Sequence, residues 1–273
     1  MKLKPIIYAC FLISLFFISS SLIAQNNKNG ITQNPQTKKI KVLFVGNSLT
    51  YYYNLPLVVS AMAKTQDLTI ETKYSTVGSS TLEQHWKSEI GTQTRIMLEL
   101  EKWDYVVFNN HSLSAIYKPE SFLEYSKKFA DLTRTKGAEP IFMMTWAYKS
   151  NPLMLPEIEK MYKKLNELTN ANIIPCGTIF GNSRKIRPDL ELFHDDKHPS
   201  PNGTYLAGLA FYKYFTGKSS SKVPVNLSTL DANGQILYLL FMNDTDANFL
   251  QQLVNEFPFK TLEQKPEPII TPK

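Results

Sequence analysis

Between residues 40 and 215, short apolar runs alternate with longer stretches in which apolar residues recur every three or four positions. The short runs are residues 40–45, 68–74, 105–108, 140–145 and 173–175, each of strand length. The longer stretches, 55–64, 82–100 with a break expected near Gly91, 119–135, 156–168 and 202–215, have helical spacing. In 119–135, for example, Phe122, Tyr125, Phe129 and Leu132 fall on one face. Unbroken apolar strands alternating with amphipathic helices require a parallel sheet covered on both faces, with right-handed crossovers. Ligand crevices of such sheets lie at the carboxyl ends of the strands. Ser48 follows the first run and Asn109 the third, so both fall on that side. Residues 219–228 read as a loop and 229–258 as one or two further helices.

The ends of the chain follow different rules. Lys2 and Lys4 precede an almost wholly apolar stretch, 6–18, and 19–24 turns small and softer, the layout of a secretory signal with cleavage after Ala24. The competing reading, an uncleaved anchor, needs more apolar length than this run has, and Cys10 sits too early in it for lipid attachment. The expected organisation is a signal at 1–24, a flexible leader at 25–38, one domain at 39–260 and a disordered, Pro- and Lys-rich tail at 261–273. The mature protein is then exported, periplasmic or extracellular, with no stable membrane span. Hydrophobic residues at 43% and charged residues at 20% supply an ordinary globular core. Losing Lys2 and Lys4 takes the formal charge from +6 to +4. The basic residues are scattered without an aromatic-interleaved stripe, so nucleic acid is not an expected partner. Cys176 is left alone, which excludes an intrachain disulfide.

Four short segments carry chemistry. The first, KVLFVGNSLT at 41–50, drives a strand into a turn and sets Ser48 just past it, either as part of a helix cap or as a nucleophile. The second, FHDDKHPS at 193–200, places Asp195 three residues before His198. That spacing lets a carboxylate hold imidazole Nδ1 while Nε2 takes a proton from a serine. Pro199 keeps His198 out of helical geometry, and Ser200 or Asn202 can cap the next helix. Solvated charges ahead of a helix are the plain alternative. A metal site is the other alternative, since His194 and His198 are four apart, but the helical zinc motif fits poorly: the glutamate after the first histidine is missing and Pro199 interrupts the helix. The third segment, VGSSTLEQHW at 77–86, exposes backbone N–H groups suited to an oxyanion, and the fourth, WDYVVFNNHS at 103–112, puts Asn109 and Asn110 at a strand end. Each of these two also reads as an ordinary turn.

In their order and spacing, GNSL at 46–49, the glycine turn at Gly78, the strand end at Asn109 and Asn110, and DDKHPS at 195–200 resemble the SGNH hydrolase superfamily, or GDSL-type esterases. The likeness is greatest to a secreted bacterial branch known by an uncharacterised-domain label and spans about residues 40–217. It implies an α/β fold, a three-layer α/β/α sandwich on a parallel, flavodoxin-like sheet of about five strands. It also implies Ser48 as nucleophile, His198 as base, Asp195 as orienting acid, and no metal or other cofactor. The oxyanion hole would comprise the Ser48 amide, the amide at Gly78 and the side chain of Asn109. Asn47 stands where an acid is usual, the G-x-N-D form is absent from the third block, and Ser79 stands where a second glycine is expected. Asn110 and Ser79 therefore remain alternatives to Asn109 and Gly78. The expected activity is hydrolysis of a small-molecule or glycan ester, with an acetylated carbohydrate favoured by export and by Tyr51, Tyr52, Tyr53 and Trp146, which follow strand ends where rings could stack on sugars; core or rim packing is the plainer reading of the same four rings. A catalytically inactive carbohydrate-binding protein and an O-acyltransferase are the alternatives.

Overall fold

The computed structural model describes residues 38–65 and 68–259. The expected signal at 1–24, the leader apart from residue 38, and the tail at 261–273 lie outside the described residues. Five strands, β1 (Lys38–Gly46), β2 (Leu68–Thr76), β3 (Tyr105–Phe108), β4 (Glu139–Met143) and β5 (Asn172–Ile174), form one sheet in the order β2-β1-β3-β4-β5. Every neighbouring pair is parallel. This is the flavodoxin-like order, in which the chain leaves β1 in one direction and returns beside it through β3, opening a crevice at their carboxyl ends.

The period-two alternation of β1 explains the three layers. Ile40, Val42 and Phe44 point to one face, and Leu43 and Val45 to the other. The first face packs on α2 (Leu55–Lys64), α8 (Cys176–Ile186), α9 (Pro201–Thr216) and α10 (Asp244–Glu256). The second packs against α3 (Leu82–Lys87), α4 (Thr94–Leu100), α5 (Ser114–Tyr117), α6 (Pro119–Thr135) and α7 (Leu155–Thr169). A four-residue helix, α1 (Ser48–Tyr51), starts at the end of β1.

The expected break in 82–100 is sharp. Thr81 and Gln84 form a capping box that starts α3. Ser88, Ile90 and Gly91 then all take positive φ, which no helix can continue through. Two expectations for the carboxyl-terminal part are corrected. Residues 226–241 form a hairpin of β6 (Asn226–Leu230) and β7 (Ile236–Phe241), and among the described residues only α10 follows as a helix. The element α8, with buried Cys176 at its start, had no counterpart in the sequence reading. Among the described residues no helix is long and apolar enough to cross a membrane.

Candidate active site

β1 ends at Gly46 because any side chain there would collide: a Cβ would lie 2.3 Å from Asn109 Oδ1 and 2.9 Å from Asn109 O. Asn47 then makes three bonds that turn the chain. Its amide donates to Asn109 Oδ1 (3.1 Å), its Nδ2 donates to Ser80 O (2.9 Å), and its Oδ1 accepts from the Leu49 amide (3.1 Å) as the N-cap of α1. The cap is thus Asn47, and Ser48 sits at the first helical position with its hydroxyl uncommitted to the helix. The short helix and the serine are both served by one turn.

A buried brace supports that turn from below. The Gly46 carbonyl accepts from the Val77 amide (3.1 Å), the Ser80 hydroxyl (2.9 Å) and His85 Nε2 (2.9 Å). His85 Nδ1 accepts from the Thr94 hydroxyl (2.7 Å). Burial pushes the His85 pKa down to about 4, against the opposing effect of its bond to Gly46. His85 is therefore a neutral strut near neutral pH. Nothing in the sequence singles out His85, since a lone histidine on a helix carries no signal of what lies across from it.

The second half of the site is a loop closed on itself. Phe193 and Pro199 form a bridge, the His194 amide donates to His198 O (2.8 Å), and the Ser200 amide donates to Leu192 O (2.9 Å). Asp196 ties the loop outward, accepting from the Ser150 amide (2.7 Å) and hydroxyl (2.9 Å). Trp146 Nε1 donates to Lys197 O (2.8 Å). Ser200 caps α9 through the Gly203 amide.

This loop brings His198 Nε2 to 2.8 Å from Ser48 Oγ, across 150 residues of chain. His198 Nδ1 donates to Asp195 Oδ2 at 2.6 Å, which leaves Nε2 as the acceptor toward the serine hydroxyl. Asp195 Oδ1 accepts from the amides of Lys197 and His198, both at 2.8 Å. Partial burial pushes the Asp195 carboxyl up, but the His198 ring and these two amides outweigh it and hold it well below the usual carboxylate range. Tyr52 lies flat on the His198 ring, with centroids 4.1 Å apart and planes 5° apart. Left-handed backbone at Tyr53 and Asn54 shapes the turn that carries it. Such conformations each cost on the order of 1 kcal/mol and persist where surrounding contacts hold them. Tyr53 Oη lies 3.3 Å from Nδ1 of His194, which is thereby turned to the tyrosines and not to His198.

A cavity of about 10 Å³ adjoins Ser48, lined by Asn47, Ser48, Leu49, Ser79, His111, Ser112 and Lys197. That is close to the least space that holds one water-sized atom group. The Ser48 and Ser79 amides have no hydrogen-bond partner among the described residues. Gly78, the expected backbone donor, does not line the cavity and sits under the Tyr51 hydroxyl. Asn109, the expected side-chain donor, does not line the cavity either. Its Oδ1 accepts from Asn47 N and from the Thr50 hydroxyl (3.0 Å), and its Nδ2 donates to Asn110 O (2.7 Å). Asn110 Oδ1 accepts from the amides of Leu82 and His111 and from the Ser114 hydroxyl. Trp146 takes the plainer of its two readings. Its ring is 1% exposed and stacked on Phe180 at 4.2 Å, so it belongs to the core and offers no open face to a sugar. A larger cavity of about 270 Å³ lies beyond it, between Pro152, Arg184 and Phe193, and does not include Ser48.

No family model and no curated protein matches this sequence. Solved structures do. A DUF4886 family protein from Bacteroides uniformis aligns over 80% of this chain and 93% of its own, with a TM-score of 0.64 and 20% identity. A candidate SGNH hydrolase from Slackia heliotrinireducens aligns over 64% of this chain and 98% of its own, with a TM-score of 0.56 and 24% identity. An acetyl xylan esterase, AlAXEase, covers 64% of this chain and 98% of its own at a TM-score of 0.54 and 14% identity. The fold of this protein is therefore that of the SGNH hydrolases.

Proposed function

We propose that this protein is a serine esterase that works through an acyl-enzyme, with Ser48 as nucleophile, His198 as general base and acid, and Asp195 as orienting carboxylate. The observation that carries the reading is the unbroken chain from Ser48 Oγ to His198 Nε2 at 2.8 Å and from His198 Nδ1 to Asp195 Oδ2 at 2.6 Å. In this reading His198 takes the serine proton as Ser48 attacks the ester carbonyl. The protonated ring passes that proton to the leaving alcohol, and water then releases the acid by the reverse sequence. The unpartnered Ser48 and Ser79 amides hold the tetrahedral oxygen, and each such donor typically lowers the barrier by about 3 kcal/mol.

For the substrate we infer a short acyl ester, with acetyl on a carbohydrate as the first choice. Support comes from Tyr51 and Tyr53, which are 41% and 36% exposed at the rim. Export through residues 1–24 fits an extracellular glycan, and a mature chain beginning at Gln25 is the result that N-terminal sequencing should return.

The test is release of p-nitrophenol from p-nitrophenyl acetate by the protein, by Ser48→Ala and by His198→Ala. Turnover that falls to background in both variants supports the esterase. Equal rates in all three sink it. Glycan binding without turnover of any acetylated glycan would instead favour the binding protein, and acyl groups appearing on a sugar acceptor would favour transfer.

A further inference from the structure

Two backbone amides leave an oxyanion hole one donor short of the three the sequence led us to expect, and the expected third group, the Asn109 side chain, is engaged under the turn. Two residues line the Ser48 cavity from the β3 end, His111 and Ser112, and the Ser112 hydroxyl is paired with Tyr148 Oη at 2.8 Å. The His111 ring has a defined polarity. Nδ1 accepts from the Leu113 amide two residues on, at 3.3 Å, so the ring proton belongs on Nε2. Nε2 has no hydrogen-bond partner among the described residues. The backbone holds the ring from both sides: the His111 amide donates to Asn110 Oδ1 (2.8 Å) and the His111 carbonyl accepts from Ser114 N (2.9 Å).

We propose that His111 is a further catalytic residue, whose Nε2–H donates to the oxyanion formed when Ser48 attacks the ester. The inference rests on the esterase reading above. As the attack converts the carbonyl to a tetrahedral centre, the oxygen gains the electron pair of the C=O π bond, and the Ser48 amide, the Ser79 amide and His111 converge on it. The cavity's size matches one oxygen and not an acyl chain. A neutral imidazole suits this work, because it donates without presenting a full charge to the ground-state ester. Burial first, and then the charges of Lys197 and Lys118, hold the His111 pKa below the ordinary histidine value, which keeps the ring neutral. Asn110, whose Nδ2 also lacks a partner, does not line the cavity.

The test compares kcat and KM on p-nitrophenyl acetate for the full chain, Ser48→Ala, His111→Ala and His111→Gln, with thermal melting as a check on folding. Gln sets an amide N–H near the Nε2 position. The expected result is a kcat lower by about a hundredfold in His111→Ala with KM little changed, and recovery of a large part of it in His111→Gln. A His111→Ala kcat within threefold of the parent, with Ser48→Ala inactive, overturns the role of His111 and leaves the esterase standing. Equal losses in the Ala and Gln variants also overturn it, because they point to loop structure and not to a donated proton. Turnover that survives Ser48→Ala overturns the esterase and this inference together.

Discussion

Asp195 accepts from the His198 ring and from two backbone amides, whereas Asp196 accepts from Ser150 and faces away from the imidazole. Two identical side chains one residue apart thus take different work, and the three-residue spacing to His198 marks the first of them. Asp195→Asn should lower kcat by about 10³–10⁴-fold, because the amide oxygen stays with the Lys197 and His198 amides and its NH2 then faces Nδ1, which forces the wrong ring tautomer. Asp196→Asn keeps both acceptor and shape toward Ser150 and should cost less than tenfold. Steady-state kinetics on p-nitrophenyl acetate checks the pair, and the reverse order would remove Asp195 from its role. Not every residue of the site was legible. Ser48, Asp195 and His198 stood out by type and local spacing. His85 and His111 did not, because each matters through an atom that the chain brings to it from elsewhere: the Gly46 carbonyl for one, the Ser48 cavity for the other.

At the scale of elements, α9 shows why a helix can be apolar on all sides. Every residue from Gly203 to Tyr212 is buried, between α2 and the sheet on one side and α10 on the other. Tyr205 Oη accepts from Gln251 Nε2 of α10 at 2.7 Å, one of the polar bonds inside that layer. Gly208 sets the approach to α2: a Cβ there would lie 2.8 Å from Val58 Cγ1 and 3.1 Å from Met62 Sδ. Gly208→Leu should therefore destabilise the protein by about 1–3 kcal/mol through overpacking, measured as a lower urea midpoint. A variant as stable as the parent would mean that α2 and α9 can part without cost. The hairpin β6–β7 was misread for a physical reason. Its second strand, Ile236–Phe241, is an unbroken apolar run, and periodicity alone does not separate such a run from a buried helix. The deciding signal was the Asn233-Gly234 turn, where Asp231 Oδ1 accepts from the amides of Asn233 and Gln235 and Gly234 takes φ of 77°.

At the scale of the molecule, the strand order makes the site. β1 and β3 are neighbours although α2, β2, α3 and α4 lie between them in the chain, so the turns after Gly46 and Phe108 interlock through Asn109. Global stability should carry the mark of the brace beneath them. The His85 pKa is about 4 in the folded protein, against 6.5 for an ordinary histidine. Between those two pH values the unfolded chain takes up a proton that the folded one refuses, so stability falls as pH falls. The loss should reach about 3 kcal/mol by pH 4. Asp195, whose carboxyl is also lowered, adds a loss in the same direction only at more acid pH. Urea midpoints taken from pH 7 to pH 4 check this, with His85→Gln as control. The variant should be less stable at pH 7 and flatter between pH 6.5 and 4. An equal slope in both proteins would show that His85 does not titrate as a buried neutral group.

Alternation of apolar and amphipathic segments determined the parallel sheet and most of its helices, because each strand must hide both faces and each helix one. The D-x-x-H spacing and the strand-to-turn serine were likewise local, and local geometry is what a sequence writes directly. The pairing of Ser48 with His198 across 150 residues was decided by the fold, as were the burial of Trp146, the engagement of Asn109, and the places of Ser79 and His111 on the cavity wall. These depend on which strand ends lie side by side and on which polar atoms are left unpaired once the layers close. Neither quantity belongs to any one segment of the chain.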